Sequence, residues 1–148
     1  MRLPFLLAVA VMAGSSPIRR PADPLPRLQF PSLEAAAESA RRAWQARDFD
    51  DFLAGAGSRL LVELLAANPS TPVGRSQAGA LLEGYVQGTE EVETSIQKAK
   101  EVDNGRGYVE LNRRYRVAGI GGVNVGVLLL GYRRGRDGWL LTEVRATR

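Results

Sequence analysis

Residues 108–147 read YVELNRRYRVAGIGGVNVGVLLLGYRRGRDGWLLTEVRAT, and the fold turns on this stretch. Apolar and polar residues alternate along 108–117, the period of a half-buried strand. Two more strands are predicted over 123–133 and 138–147. Gly119, Gly121 and Gly122 punctuate the first turn, and Asp137-Gly138 belongs to the second. Asp-Gly suits the positive-φ positions of a tight hairpin. Consecutive strands with short turns predict an antiparallel sheet, one face of which the rest of the chain must cover.

Working outward, 91–101 reads as a preceding strand, joined through a turn at Asp103-Asn104-Gly105. Strand parity places Val109, Leu111, Arg113, Tyr115 and Val117 on one face. In 123–133, Val123, Val125, Val127 and Leu129 line one side, and Leu128, Leu130 and Tyr132 the other. Both sides are apolar there, so helices or a partner subunit must cover part of the second face. In 138–147, Leu140, Thr142, Val144 and Ala146 alternate with Trp139, Leu141, Glu143, Arg145 and Thr147.

The covering elements are helical. Ser32 is an N-cap, Glu34 favours the first turn, and Leu33, Ala36, Ala37, Ala40, Ala43 and Trp44 form one stripe. Residues 48–53 predict a short helix capped by Asp48, with Phe49, Phe52 and Leu53 inward. SRLLVELLA, 58–66, is a short apolar strand, and 68–72 a loop. Ser76 is the expected cap of a further helix that buries Ala78, Leu81, Leu82, Tyr85 and Val86 and stops at Gly88.

Residues 1–14 carry Met1-Arg2, an apolar run and small residues, the pattern of a secretory signal peptide. The run is shorter than the roughly 20 residues that span a bilayer, so no stable membrane anchor is expected. Residues 15–31 are a Pro/Arg-rich linker, of which Leu28 and Phe30 could tuck against the domain, and 32–148 a single α+β domain. The expected location is periplasmic or extracellular. The chain has 148 residues, net charge +4, no Cys and no His. This excludes thiol and imidazole chemistry, Ser-His-Asp triads and the usual zinc and iron sites. No metal or cofactor is expected. GIGGVNVG, 119–126, runs from a turn into a strand without Lys or a following helix, so it is no phosphate cradle. Residues 111–148 hold eight Arg against two acids, but beside turns and strand ends, where charges are solvated; nucleic acid is not an expected partner.

The order is helix, short helix, strand, helix, then strands of antiparallel sheet. With LLVELL, GRSQAGALLEGYVQG, RYRVAG and WLLTEVRAT, it resembles the nuclear transport factor 2-like superfamily, which includes ketosteroid-isomerase-like proteins. Within it the chain is most similar to an exported bacterial domain family of unknown function. The resemblance implies a cone-shaped α+β fold, a curved antiparallel sheet packed on N-terminal helices, with a cavity between the layers. No isomerase motif is matched residue by residue.

Strand parity and the helix stripes place Trp44, Tyr85, Tyr115, Val125 and Trp139 at the wall of such a cavity, with Arg113 or Glu143 as the polar handle. The leading functional expectation is a non-catalytic exported domain that binds a small apolar ligand or a protein. One alternative is a small isomerase- or cyclase-like enzyme using a buried carboxylate and tyrosines. Another is a structural homodimer assembled through the sheet face. On the sheet's open face, Glu110 and Glu143 are expected to pair with Arg113, Arg114 or Arg145.

Overall fold

The computed structural model describes residues 29–64 and 71–147. The predicted signal peptide and nearly all of the linker lie outside the described residues. Helix α1 (Leu33–Ala46) starts where Ser32 Oγ accepts from Ala35 N at 3.1 Å, and its alanine stripe and Trp44 are buried. It ends at Arg47, whose φ of 55° breaks the helix and turns the chain. Asp48 caps α2 (Phe49–Ala54) by accepting from Asp51 N. Strands β1 (Ala56–Glu63) and β2 (Val73–Gly74) follow, then α3 (Arg75–Val86). The N-cap of α3 is Gly74, which makes no side-chain capping bond; Ser76 lies inside the helix. Strands β3 (Thr89–Asp103), β4 (Arg106–Val117), β5 (Asn124–Gly135) and β6 (Gly138–Thr147) complete the chain.

The six strands lie in the order β2-β1-β6-β5-β4-β3. This overturns the expected cone of antiparallel strands. The sheet is open: β2 and β3 are its two edges and do not meet, so nothing curls it into a closed wall. It is also mixed, because β1 runs parallel to β6. The physical reason is connectivity. The stretch 108–147 forms an antiparallel meander of β4, β5 and β6, and β1 arrives from the helical side to pair with the free edge of β6. Closure would require β3 to reach β2, a strand of only two residues.

The helices cover one face. Ala36, Ala37, Ala40, Trp44, Phe49, Phe52 and Leu82 meet Leu60, Val62, Val109, Leu111, Leu128, Leu130, Leu141 and Val144 in one core. Small alanines let α1 lie close to the sheet, and the aromatic rings fill the wider end. Trp44 packs edge-on against Phe49 and Phe52, with centroids 5.3 and 5.6 Å apart. The linker's last residues are tied down. Phe30 bridges to Trp139, donating to its carbonyl and accepting from its N–H at 2.8 Å. Gly138, at φ 138°, has no side chain because the Phe30 carbonyl stands where a Cβ would be.

Candidate functional site

Between α1, α3 and the sheet lies a buried ion pair. Arg113 of β4 and Glu91 of β3 have side chains only 3% and 2% exposed. Arg113 Nε donates to both Glu91 oxygens at 3.1 and 3.2 Å, and Nη2 donates to Oε2 at 2.8 Å. Thr94 Oγ1 donates to Glu91 Oε1 at 3.0 Å. Every strong acceptor position of the carboxylate toward this side is therefore engaged.

Three rings box the guanidinium. Its carbon lies 5.1 Å from the Trp44 ring centre, 5.3 Å from Tyr85 and 4.5 Å from Tyr115. Tyr115 is two residues from Arg113 and so shares its face of β4. Trp44 comes from the end of the α1 stripe and Tyr85 from the last turn of α3. Ring faces attract a cation, and more strongly when water is excluded. The Trp44 indole N–H is buried here without an acceptor.

Glu91 reaches the interior through a bulge. β3 shifts register against β4 between Glu91 and Glu93, so Glu91 and Thr94, three residues apart, share one face. Arg41 and Gln45 of α1 bind the Thr94 backbone, and Arg47 binds the Val86 carbonyl and Thr89 Oγ1. The site is thus held between α1, the end of α3 and an edge strand.

Of the seven residues placed at the cavity by sequence, Trp44, Tyr85, Arg113 and Tyr115 come together here. The other three do not. Val125 is 71% exposed, on the sheet's opposite face. Glu143 is also on that face, beside Gly131 and paired with Arg145. A bulge at Thr142 puts Leu141 and Val144 in the core and turns Glu143 outward. Trp139 is buried, but against Phe30, Leu33 and Gly107 at the other end of the core. Glu143 does take Arg145, but along β6 rather than across strands, whereas Arg113 takes Glu91 and Arg114 takes Glu93 across the β3–β4 ladder.

Sequence reasoning missed Glu91 and Thr94. In a plain alternation Glu91 shares a face with Glu93, and nothing in TEEVET marks the bulge. A cleft of about 570 Å³ also opens between α2 and α3, lined by Phe49, Asp50, Leu53, Arg75 and Glu83, and includes none of the clustered residues. Among the described residues no group of acids could hold a metal ion, and no helix is long and apolar enough to cross a membrane.

No family profile and no curated protein matches the chain. Solved structures do. A protein with a ketosteroid isomerase-like fold from Catenulispora acidiphila, in complex with trimethylamine, is 13% identical, with a TM-score of 0.62 over 79% of this chain and 87% of that one. A ketosteroid isomerase-like protein from Erwinia carotovora is 13% identical, with a TM-score of 0.61 over 77% and 91%. A nuclear transport factor 2-like protein of unknown function from Shewanella oneidensis is 17% identical, with a TM-score of 0.52 over 76% and 93%. Identities this low show the fold alone, which is nuclear transport factor 2-like and ketosteroid-isomerase-like, here with an open sheet.

Proposed function

We propose that this chain is a non-catalytic binding domain whose interior is closed by its own side chains and whose partner is met on the solvent face of the sheet. The observation that carries this is the Arg113 guanidinium standing inside the box of Trp44, Tyr85 and Tyr115. A general base must reach a substrate proton. Glu91, the carboxylate of this cluster, is already bound by Arg113 and Thr94.

The solvent face supports the outward role. Tyr108 and Val125 are exposed on it, with Val127 and Leu129 half-buried beside them. Charges of both signs flank them, as Glu93 with Arg114 and Glu63 with Arg145. A mixed apolar and charged face of this kind is self-complementary, so a second copy of the chain is the proposed partner. Export is part of the proposal, resting on the sequence of residues 1–14.

Sedimentation of the purified domain tests it. The wild type is expected to form dimers at micromolar concentration, and Val125→Lys to give monomers of unchanged circular dichroism. A wild type that stays monomeric at high micromolar concentration would remove the dimer.

The unpaired Trp44 N–H favours one other reading, a small ligand with a single acceptor that enters the box beside Arg113. Thermal shift against a panel of small carboxylic acids separates the two. A rise in Tm lost in Trp44→Phe supports the ligand, and no rise supports the closed interior.

A further inference from the structure

The geometry points to a binding site for a phosphate dianion on the solvent face of the sheet, at the end opposite Val125. Arg106 on β4 and Arg133 on β5 stand directly opposite each other in the ladder. Like charges in that relation repel. Arg114 on β4 and Arg134 on β5 each have a carboxylate within ion-pair distance, as does Arg145 on the neighbouring β6. Arg106 and Arg133 have none among the described residues. Asp103, across from Arg106, turns its carboxylate to the Asn104 N–H at 2.7 Å.

The two arginines border a notch of about 230 Å³, walled also by Tyr108, Thr142, Glu143 and Leu61. Gly131 makes it: a Cβ there would meet Glu143 Cβ at 3.0 Å. Glu143 is the one acid in the wall; it pairs with Arg145, which it shares with Glu63 at 3.4 Å. The wall therefore carries two arginines without a carboxylate partner among the described residues, with Tyr108 beside them. Two planar forks with a joint charge of +2 match a dianion with several acceptor oxygens. The notch is large enough for a phosphate group and not for a large ligand. A phosphate there turns the cross-strand repulsion into a bridge between β4 and β5.

This site deepens the outward-facing reading, on which it rests, by giving the face a chemical preference. Eight residues separate Arg133 from Val125, roughly 26 Å along a strand, so the two ends can fail separately.

The test is a titration of the isotope-labelled domain with inorganic phosphate, followed by amide chemical shifts at constant ionic strength. Saturable shifts at Arg106, Tyr108, Arg133 and Thr142 in the millimolar range are expected. In Arg106→Gln/Arg133→Gln they should weaken at least tenfold, with the fold intact by circular dichroism. Without phosphate the variant should melt no lower than the wild type, because a repulsion has been removed. Sodium acetate is the second arm: weaker shifts than phosphate support the dianion, and equal or stronger shifts overturn it. Shifts that persist in the double variant, or none at all, also overturn it. A domain that dimerises normally yet ignores phosphate loses this site and keeps the sheet-face reading.

Discussion

Arg113 and Glu91 are two charges taken out of water, at a cost of several kcal/mol per ion before their mutual attraction is counted. Their bidentate geometry, the Thr94 hydroxyl and three ring faces offset that cost. Removing one partner strands the other. Arg113→Met alone is expected to lower stability by about 3–5 kcal/mol in urea denaturation. Arg113→Met with Glu91→Gln should recover most of that loss, because no buried charge is left. A double variant as unstable as the single one would show that the pair is not the coupled unit described. Tyr132 gives a second residue-scale prediction. Burial raises its phenol well above the ordinary value of 10.0. The unfolded chain releases that proton at lower pH than the folded one, so the stability is full below about pH 10 and falls as pH rises past it. Melting curves should show a steeper alkaline loss of Tm in the wild type than in Tyr132→Phe.

Helix α1 is the element whose local chemistry is most explicit. Ser32 satisfies one orphan N–H, Glu34 complements the dipole, and the stripe from Leu33 to Trp44 is buried as a unit. Ser32→Ala should cost about 1 kcal/mol in urea denaturation. Glu34→Gln should cost about 0.5 kcal/mol, and less in high salt. The strands behave differently, because their contribution depends on register. β3 carries three shifts against β4, and the β5–β6 ladder one; at the first β3 shift Glu91 goes in, and at the β6 shift Glu143 goes out. Period-two reading is right up to the bulge and inverted beyond it. This is why Leu128, Leu130 and Tyr132 on unbulged β5 follow parity, while Glu143 does not.

Across the whole molecule, the open sheet is anchored at one corner by residues before the first helix. Phe30 pairs with Trp139, and its ring fills the space that a side chain at Gly55 would need. Phe30→Ala should lower stability by about 1–3 kcal/mol, less than a full core deletion because Phe30 is only half-buried. Differential scanning calorimetry measures it. A neutral result would show that this corner holds without its strap.

By itself the sequence determined the things that depend on near neighbours. The helix caps at Ser32 and Asp48, the alanine stripe, the three-strand meander of 108–147 and its turns are all written in residues a few positions apart. Helix and strand periods aimed Trp44, Tyr85, Arg113 and Tyr115 inward, but the same reading also aimed Val125 and Glu143 there, so which of them meet was left to the tertiary structure. Only the tertiary structure decided that the sheet stays open, that β1 joins β6 in parallel and that Glu91 fills the interior. Those outcomes come from which strand edge is free and where a ladder slips one residue. Edges and slips are relations between distant segments, and no local pattern of residues encodes them.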